Sequence, residues 1–108
     1  MSTAQLAQLV MIGELAMDQW RAQEAAAHAE GRYHQAIQQY ETAHGTLSKL
    51  IQKEDPAHVA VRAFTASQYK LLQQARRRVY ALKVRMAKAC AKLARISAAR
   101  TTEHGVAK

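Results

Sequence analysis

The sequence is poor in the residues that interrupt regular structure or cross-link it: its 108 residues include four Gly, one Pro and one Cys. So few chain-breaking residues disfavour a fold of many short strands and turns. A single cysteine cannot form an internal disulfide, which argues against a secreted disulfide-stabilised scaffold. We therefore expect a cytoplasmic protein in a reducing compartment.

Long apolar runs and catalytic motifs are also missing. No segment reaches the roughly 20 apolar residues that a membrane-spanning helix needs. The amino-terminal stretch carries Glu14 and Asp18 and has no basic residue before its apolar part, unlike a signal peptide. There is no Gly-rich phosphate loop, serine nucleophile elbow or paired-carboxylate motif. We expect no enzymatic activity, no cofactor and no small-molecule substrate.

Metal-ligating residues occur without the spacing that a metal site needs. Glu41 and His44 form one Glu-x-x-His pair. Di-iron helical bundles use two such pairs together with further carboxylates. The pairs Glu24 with His28 and Glu30 with His34 are spaced for ordinary contacts on a helix surface. We expect no bound metal.

The residues that are abundant favour helices: Ala, Gln, Arg, Lys and Leu dominate the composition. Ser2 followed by Gln5 is typical of a capping box at a helix start. The first helix is predicted from about residue 3 to 53. Gly45 favours an alternative in which this helix is broken near residues 44–46.

The clearest punctuation comes after the first helix. Asp55 is a good helix cap and Pro56 suits a first helical position, so we predict a turn at about residues 54–56. A second helix is predicted over about residues 57–100. The tail, residues 101–108, is expected to fray.

Apolar residues line one face of each predicted helix, at spacings of three, four and seven. In the first helix they are Met11, Leu15, Ala22, Ala29, Tyr33, Ala36, Tyr40, Leu47 and Ile51; in the second they are Val61, Phe64, Leu71, Ala75, Val79, Leu82, Met86, Ala89, Leu93 and Ile96. The short link between the helices makes them antiparallel. We predict a single all-α domain, residues 1–108, folded as a long, coiled-coil-like antiparallel helical hairpin.

The start of the first helix is apolar on a second face. This face, called the apolar face below, consists of Leu6, Leu9, Val10, Met17 and Trp20. Apolarity on two sides requires a further surface, so we expect a homodimer forming a four-helix bundle, or a protein partner that docks there. The alternative is burial within one chain by a broken first helix.

Charge is distributed unevenly along the chain. The net charge of +8 combines −3 over residues 1–61 with +11 over residues 62–108. Seven cations project from about a third of the second helix's circumference. This basic stripe consists of Lys70, Arg77, Arg78, Arg85, Lys88, Lys92 and Arg95.

Three interpretations of the basic stripe remain open. It is a solvated face partly paired with Asp18, Glu24, Glu30 and Glu41 of the first helix, a binding surface for the phosphates of RNA or DNA, or a surface for an acidic protein or membrane. Tyr69 and Tyr80 lie to one side of the stripe, so the pattern predicts no stacking platform for single-stranded nucleic acid.

Cys90 lies near the edge of the second helix's apolar stripe. A small buried hydrophobic residue is the favoured interpretation, and a reactive thiol is the alternative.

The predicted function is a non-enzymatic helical module for protein–protein interaction: an adaptor, regulator, chaperone or assembly factor. The alternative is a nucleic-acid-binding helical bundle that uses the basic stripe. Usage rich in Ala and Arg is typical of a bacterial or phage source.

Overall fold

The computed structural model of the chain describes residues 1–47 and 58–106, and within these ranges it contains helices and no strands. Helix α1 spans Thr3–His44, α2 spans Val59–Phe64 and α3 spans Ala66–Val106. The all-α prediction is confirmed. The chain forms two compact units: the first comprises Met1–Ala22 and Arg78–Lys108, and the second comprises Gln23–Arg77.

In both units α1 runs antiparallel to the helices that follow it, so the predicted helical hairpin is confirmed. The residues facing inward are spaced alternately by three and four, the heptad pattern of coiled coils. In α1 the buried or half-buried positions are Gln5, Gln8, Ile12, Leu15, Gln19, Ala22, Ala26, Ala29, Tyr33, Ala36 and Tyr40. From residue 58 onward they are His58, Val61, Thr65, Gln68, Leu72, Ala75, Val79, Leu82, Met86, Ala89, Leu93 and Ile96.

Contacts between side chains fix the register of α1 and α3 in the first unit. The Gln8 side chain is buried, and its Nε2 donates a hydrogen bond to the backbone oxygen of Ala89 at 2.9 Å. Gln5 Nε2 donates to Ser97 Oγ at 3.3 Å. Gln5 also forms the predicted capping box, because its backbone N–H donates to Ser2 Oγ while its Oε1 accepts from the Ser2 backbone N–H.

The second unit is held by aromatic contacts. Tyr33 of α1 packs on Tyr69 of α3 with ring centroids 5.5 Å apart, and Tyr40 packs on Phe64 of α2 at 5.7 Å. Thr65 lies between α2 and α3 and is buried. Its Oγ1 donates to the backbone oxygen of Val61 at 2.8 Å, which satisfies the hydroxyl inside the unit.

The first helix ends earlier than the uninterrupted prediction to residue 53. Its last residue is His44, and Gly45 follows with a φ of +97°, a left-handed conformation that favours glycine at a helix end. The Gly45 N–H donates to the Glu41 backbone oxygen at 2.7 Å. The alternative break near residues 44–46 is therefore the correct one. The predicted turn at 54–56 and the core position Ile51 lie outside the described residues.

The predicted second helix is interrupted once and is longer than expected. Thr65 separates α2 from α3, although its backbone N–H still reaches the Val61 oxygen at 3.0 Å. The helical backbone of α3 continues to Val106, past the predicted end at residue 100, so the tail is not frayed from residue 101 as expected.

Two positions of the predicted core are corrected. Leu71 is 52% exposed, whereas its neighbour Leu72 is 2% exposed, because the heptad spacing runs through Thr65, Gln68 and Leu72. Met11 is likewise exposed while Ile12 is half-buried. In both cases the apolar pattern is one residue out of phase with the inward face.

We predict that the two adjacent registers differ sharply in energy. Leu82→Ala should lower the free energy of unfolding by about 2–5 kcal/mol, because the Leu82 side chain is 1% exposed and its removal leaves a cavity. Leu71→Ala, the same change at an exposed position, should alter it by less than about 0.5 kcal/mol. Urea unfolding followed by circular dichroism measures both. Equal losses in the two variants would contradict the assigned core.

Candidate interaction surfaces

The apolar face lies on the outside of the first unit. Its five residues are between 39% and 61% exposed, with Val10 at the upper limit and Leu9 at the lower. The opposite side of α1 supplies the buried residues Gln8 and Ala22. Packing within the first unit therefore leaves these large apolar side chains in contact with water.

A shallow groove crosses the apolar face and was not anticipated from the sequence. It is lined by Val10, Gly13, Glu14, Met17, Asp18 and Arg21. Gly13 supplies the space, since nothing lies within 4 Å of the position that a Cβ atom would take there. The spacing of Gly13, three residues after Val10 and four before Met17, is the signal that could have identified it.

Every member of the basic stripe is exposed. Lys70 and Arg77 belong to the second unit, and the other five belong to the first. In residues 1–47 and 58–106 the only ion pair joins Arg21 to Asp18 at 3.6 Å, within α1. In the described part of the chain, therefore, the expected cross-helix pairs with Asp18, Glu24, Glu30 and Glu41 are not formed.

Four cations of the stripe border a groove between α1 and α3 in the first unit. This basic groove is lined by Gln8, Met11, Leu15, Arg85, Lys88, Ala89, Lys92 and Arg95. Met11 and Leu15 give it an apolar wall on α1, and the cations lie on α3. The sequence identified both sets but did not place them together, because residue spacing alone does not give the register between two helices.

The remaining candidate residues are distributed without a common site. Cys90 is exposed, so its prediction as a buried residue is wrong: it lies outside the three-four spacing that includes Ala89. His44 stacks on Tyr40 with ring centroids 4.4 Å apart at the end of α1. Among the described residues no group of three or more His, Cys, Asp and Glu side chains is arranged to hold a metal ion.

Tyr33 is the residue whose ionisation the fold perturbs. Burial raises the pKa of its phenol above the ordinary value of 10.0, and the nearby phenol of Tyr69 raises it further. The Arg76 guanidinium and a hydrogen bond with the Thr65 side chain act in the opposite direction. These groups all belong to the second unit, where they form a structural contact rather than a reactive site.

None of the helices in the described ranges combines the length and apolarity needed to cross a membrane. Neither family models, nor curated proteins, nor solved structures match this chain. The argument for function therefore depends on the surfaces themselves.

We predict that the Tyr33 phenol titrates above pH 10.0 in the folded protein. A raised pKa means that the fold favours the neutral phenol, so its contribution to stability is complete below the unfolded pKa and is lost as the pH rises through the folded one. The tyrosinate absorbance of wild type minus that of Tyr33→Phe measures the midpoint. A blocked tyrosine amide provides the reference, and a difference curve with the same midpoint as this reference would contradict the prediction.

Proposed function

We propose that this protein is a non-enzymatic helical module for protein–protein interaction, acting as an adaptor, regulator, chaperone or assembly factor. The observation that carries this proposal is the exposed apolar face on α1. Large apolar side chains grouped on one side of a helix are typical of a surface that another protein covers. The span from Leu6 to Trp20 is about 21 Å along the helix, four turns, which suits a second helix.

A homodimer is the arrangement that this face supports. When the same face of two copies meets about a two-fold axis, two α1 helices become buried between two α3 helices. The product is a four-helix bundle. In the second unit the exposed positions of α1 are polar, including Gln35, Gln38 and Gln39. The support for a dimer is thus confined to the first unit.

The basic groove supports an acidic protein partner. Arg85, Lys88, Lys92 and Arg95 follow one another at spacings of three and four, so their side chains rise along one side of α3. The apolar wall of Met11 and Leu15 lies opposite. An amphipathic helix with apolar residues beside Glu or Asp matches both properties, whereas a nucleic-acid backbone has no use for the apolar wall.

Nucleic-acid binding is the second candidate, favoured by the unpaired charge of the basic stripe. Cations that lack carboxylate neighbours in the described part of the chain are available to phosphates. Tyr80 is 70% exposed, but it lies on a different side of α3 from the stripe, so it offers no stacking next to these cations. Binding of this kind would depend on charge and would have little sequence preference.

We predict that Met17→Ala combined with Trp20→Ala dissociates the dimer and leaves the helical content unchanged. Burial of each large apolar side chain contributes about 1.5–3 kcal/mol, so losing both should weaken association at least about a hundredfold. Sedimentation equilibrium measures this. Tyr80→Ala is the matched control, because it removes an exposed aromatic ring outside the apolar face and should leave the dimer intact. Unchanged association of the double variant would remove the main support for the proposal.

We predict that the basic groove binds a helical peptide of about 16 residues whose Leu residues repeat every three or four positions beside Glu. Lys88→Glu with Lys92→Glu should abolish this binding by charge repulsion. Arg76→Glu with Lys83→Glu is the control: it makes the same charge change at exposed sites of α3 outside the groove, and it should retain binding. Fluorescence anisotropy measures the peptide and, separately, a labelled RNA duplex.

The duplex arm distinguishes the two candidates. Binding of the duplex but not of the peptide, with an affinity that falls steeply as salt is added, would replace the protein-partner proposal with nucleic-acid binding. A version of the peptide with Gln in place of Glu tests the role of charge. If it bound as tightly as the acidic peptide, the cations of the groove would have no part in recognition.

A further inference from the structure

The exposed residues of α1 are arranged symmetrically about Gly13. Leu6 precedes Gly13 by seven positions and Trp20 follows it by seven; Leu9 precedes it by four and Met17 follows it by four. Val10 and Ala16 complete the series at three positions on each side. With 3.6 residues per turn, all of these side chains project within about 120° of one another. The face therefore has matching apolar residues in both chain directions.

Gly13 has no conformational reason to be glycine within one copy. It lies inside α1 without a positive φ, and nothing occupies the space within 4 Å of its absent Cβ atom. A glycine inside a helix costs roughly 0.5–1 kcal/mol relative to alanine. At the centre of an exposed apolar face, its bare backbone gives a second helix room to approach closely, and the groove between Val10 and Met17 marks that position.

We propose that two copies of the chain pack α1 against α1 in antiparallel directions and cross at Gly13. This inference rests on the homodimer of the proposed function and specifies its geometry. A two-fold axis at Gly13 places Leu6 against Trp20 of the partner subunit and Leu9 against Met17 of the partner subunit. A parallel pair would instead place each residue against its own counterpart, with the two bulky Trp20 side chains at one end and the two Leu6 side chains at the other.

The antiparallel arrangement also agrees with the extent of the face. The apolar residues begin one heptad before Gly13 and end one heptad after it, and Glu24 follows Trp20 on the same side of α1 at the next turn. An isologous antiparallel contact needs matching residues only within equal distances of its axis. The face supplies them over that interval and is polar beyond it.

Cysteine cross-linking tests the geometry. The native Cys90 is exposed and is first replaced by Ser, so that only the introduced thiols react. Gly13→Cys should then oxidise rapidly to a covalent dimer, because a disulfide requires Cα atoms about 4–7 Å apart. An equal mixture of Leu6→Cys and Trp20→Cys chains, one of them carrying a tag that changes its mass, should form the mixed dimer.

Leu6→Cys alone is the decisive control. In the antiparallel pair its two copies are about 21 Å apart, so it should form at least tenfold less cross-linked dimer than the mixture. Lys83→Cys, on the exposed surface of α3, measures cross-linking by random collision. Sedimentation equilibrium of each reduced variant records whether the non-covalent dimer is present.

The outcomes separate this inference from the proposed function. Cross-linking of Gly13→Cys and of the Leu6→Cys and Trp20→Cys mixture, with little from Leu6→Cys alone, supports the antiparallel crossing. A dimer in which Leu6→Cys cross-links with itself overturns the crossing while the proposed dimer stands. A dimer in which none of these positions exceeds the Lys83→Cys level places the interface elsewhere. A monomer under all conditions overturns both.

Discussion

The structure depends on one-sided packing of α1. In each unit this helix contributes a single inward face, with residues spaced by three and four, and only the helices that follow it in the chain cover that face. Several inward residues are small: Ala22, Ala36 and Ala89 are buried. Two-helix packing of this kind protects about half of each helix from water. Large apolar residues on the other half then need a surface that one chain does not supply.

The number, direction and approximate extent of the long helices were predictable from the sequence, because helix-forming residues, the capping box at Ser2 and the glycine at position 45 act locally. The exact inward face was less predictable. Sequence pattern assigns apolar residues to the core, but Gln8 and Thr65 occupy inward positions by satisfying their polar atoms there. A search for strict three-four spacing that tolerates polar members would have selected Leu72 rather than Leu71.

The candidate surfaces were predictable in composition and not in arrangement. The apolar face and the basic stripe each belong to a single helix, so the helical period is sufficient to find them. The neutralisation of the stripe by α1 could not be judged in this way, because ion pairing depends on the register and separation of two helices. The register of the first unit, set by Gln8 with Ala89 and by Gln5 with Ser97, instead places Met11 and Leu15 beside the cations.

The two surfaces use different sides of the first unit, and this has a consequence for binding. The proposed dimer covers the apolar face of α1, whereas the basic groove lies where α1 meets α3, so dimerisation leaves the cations accessible. A two-fold dimer then carries two identical grooves in a fixed relation. A partner with two acidic segments gains from this arrangement, because binding of the second segment becomes intramolecular and its effective concentration rises. Loss of the apolar contacts at Met17 and Trp20 consequently weakens such a partner even though the groove that it contacts is unchanged.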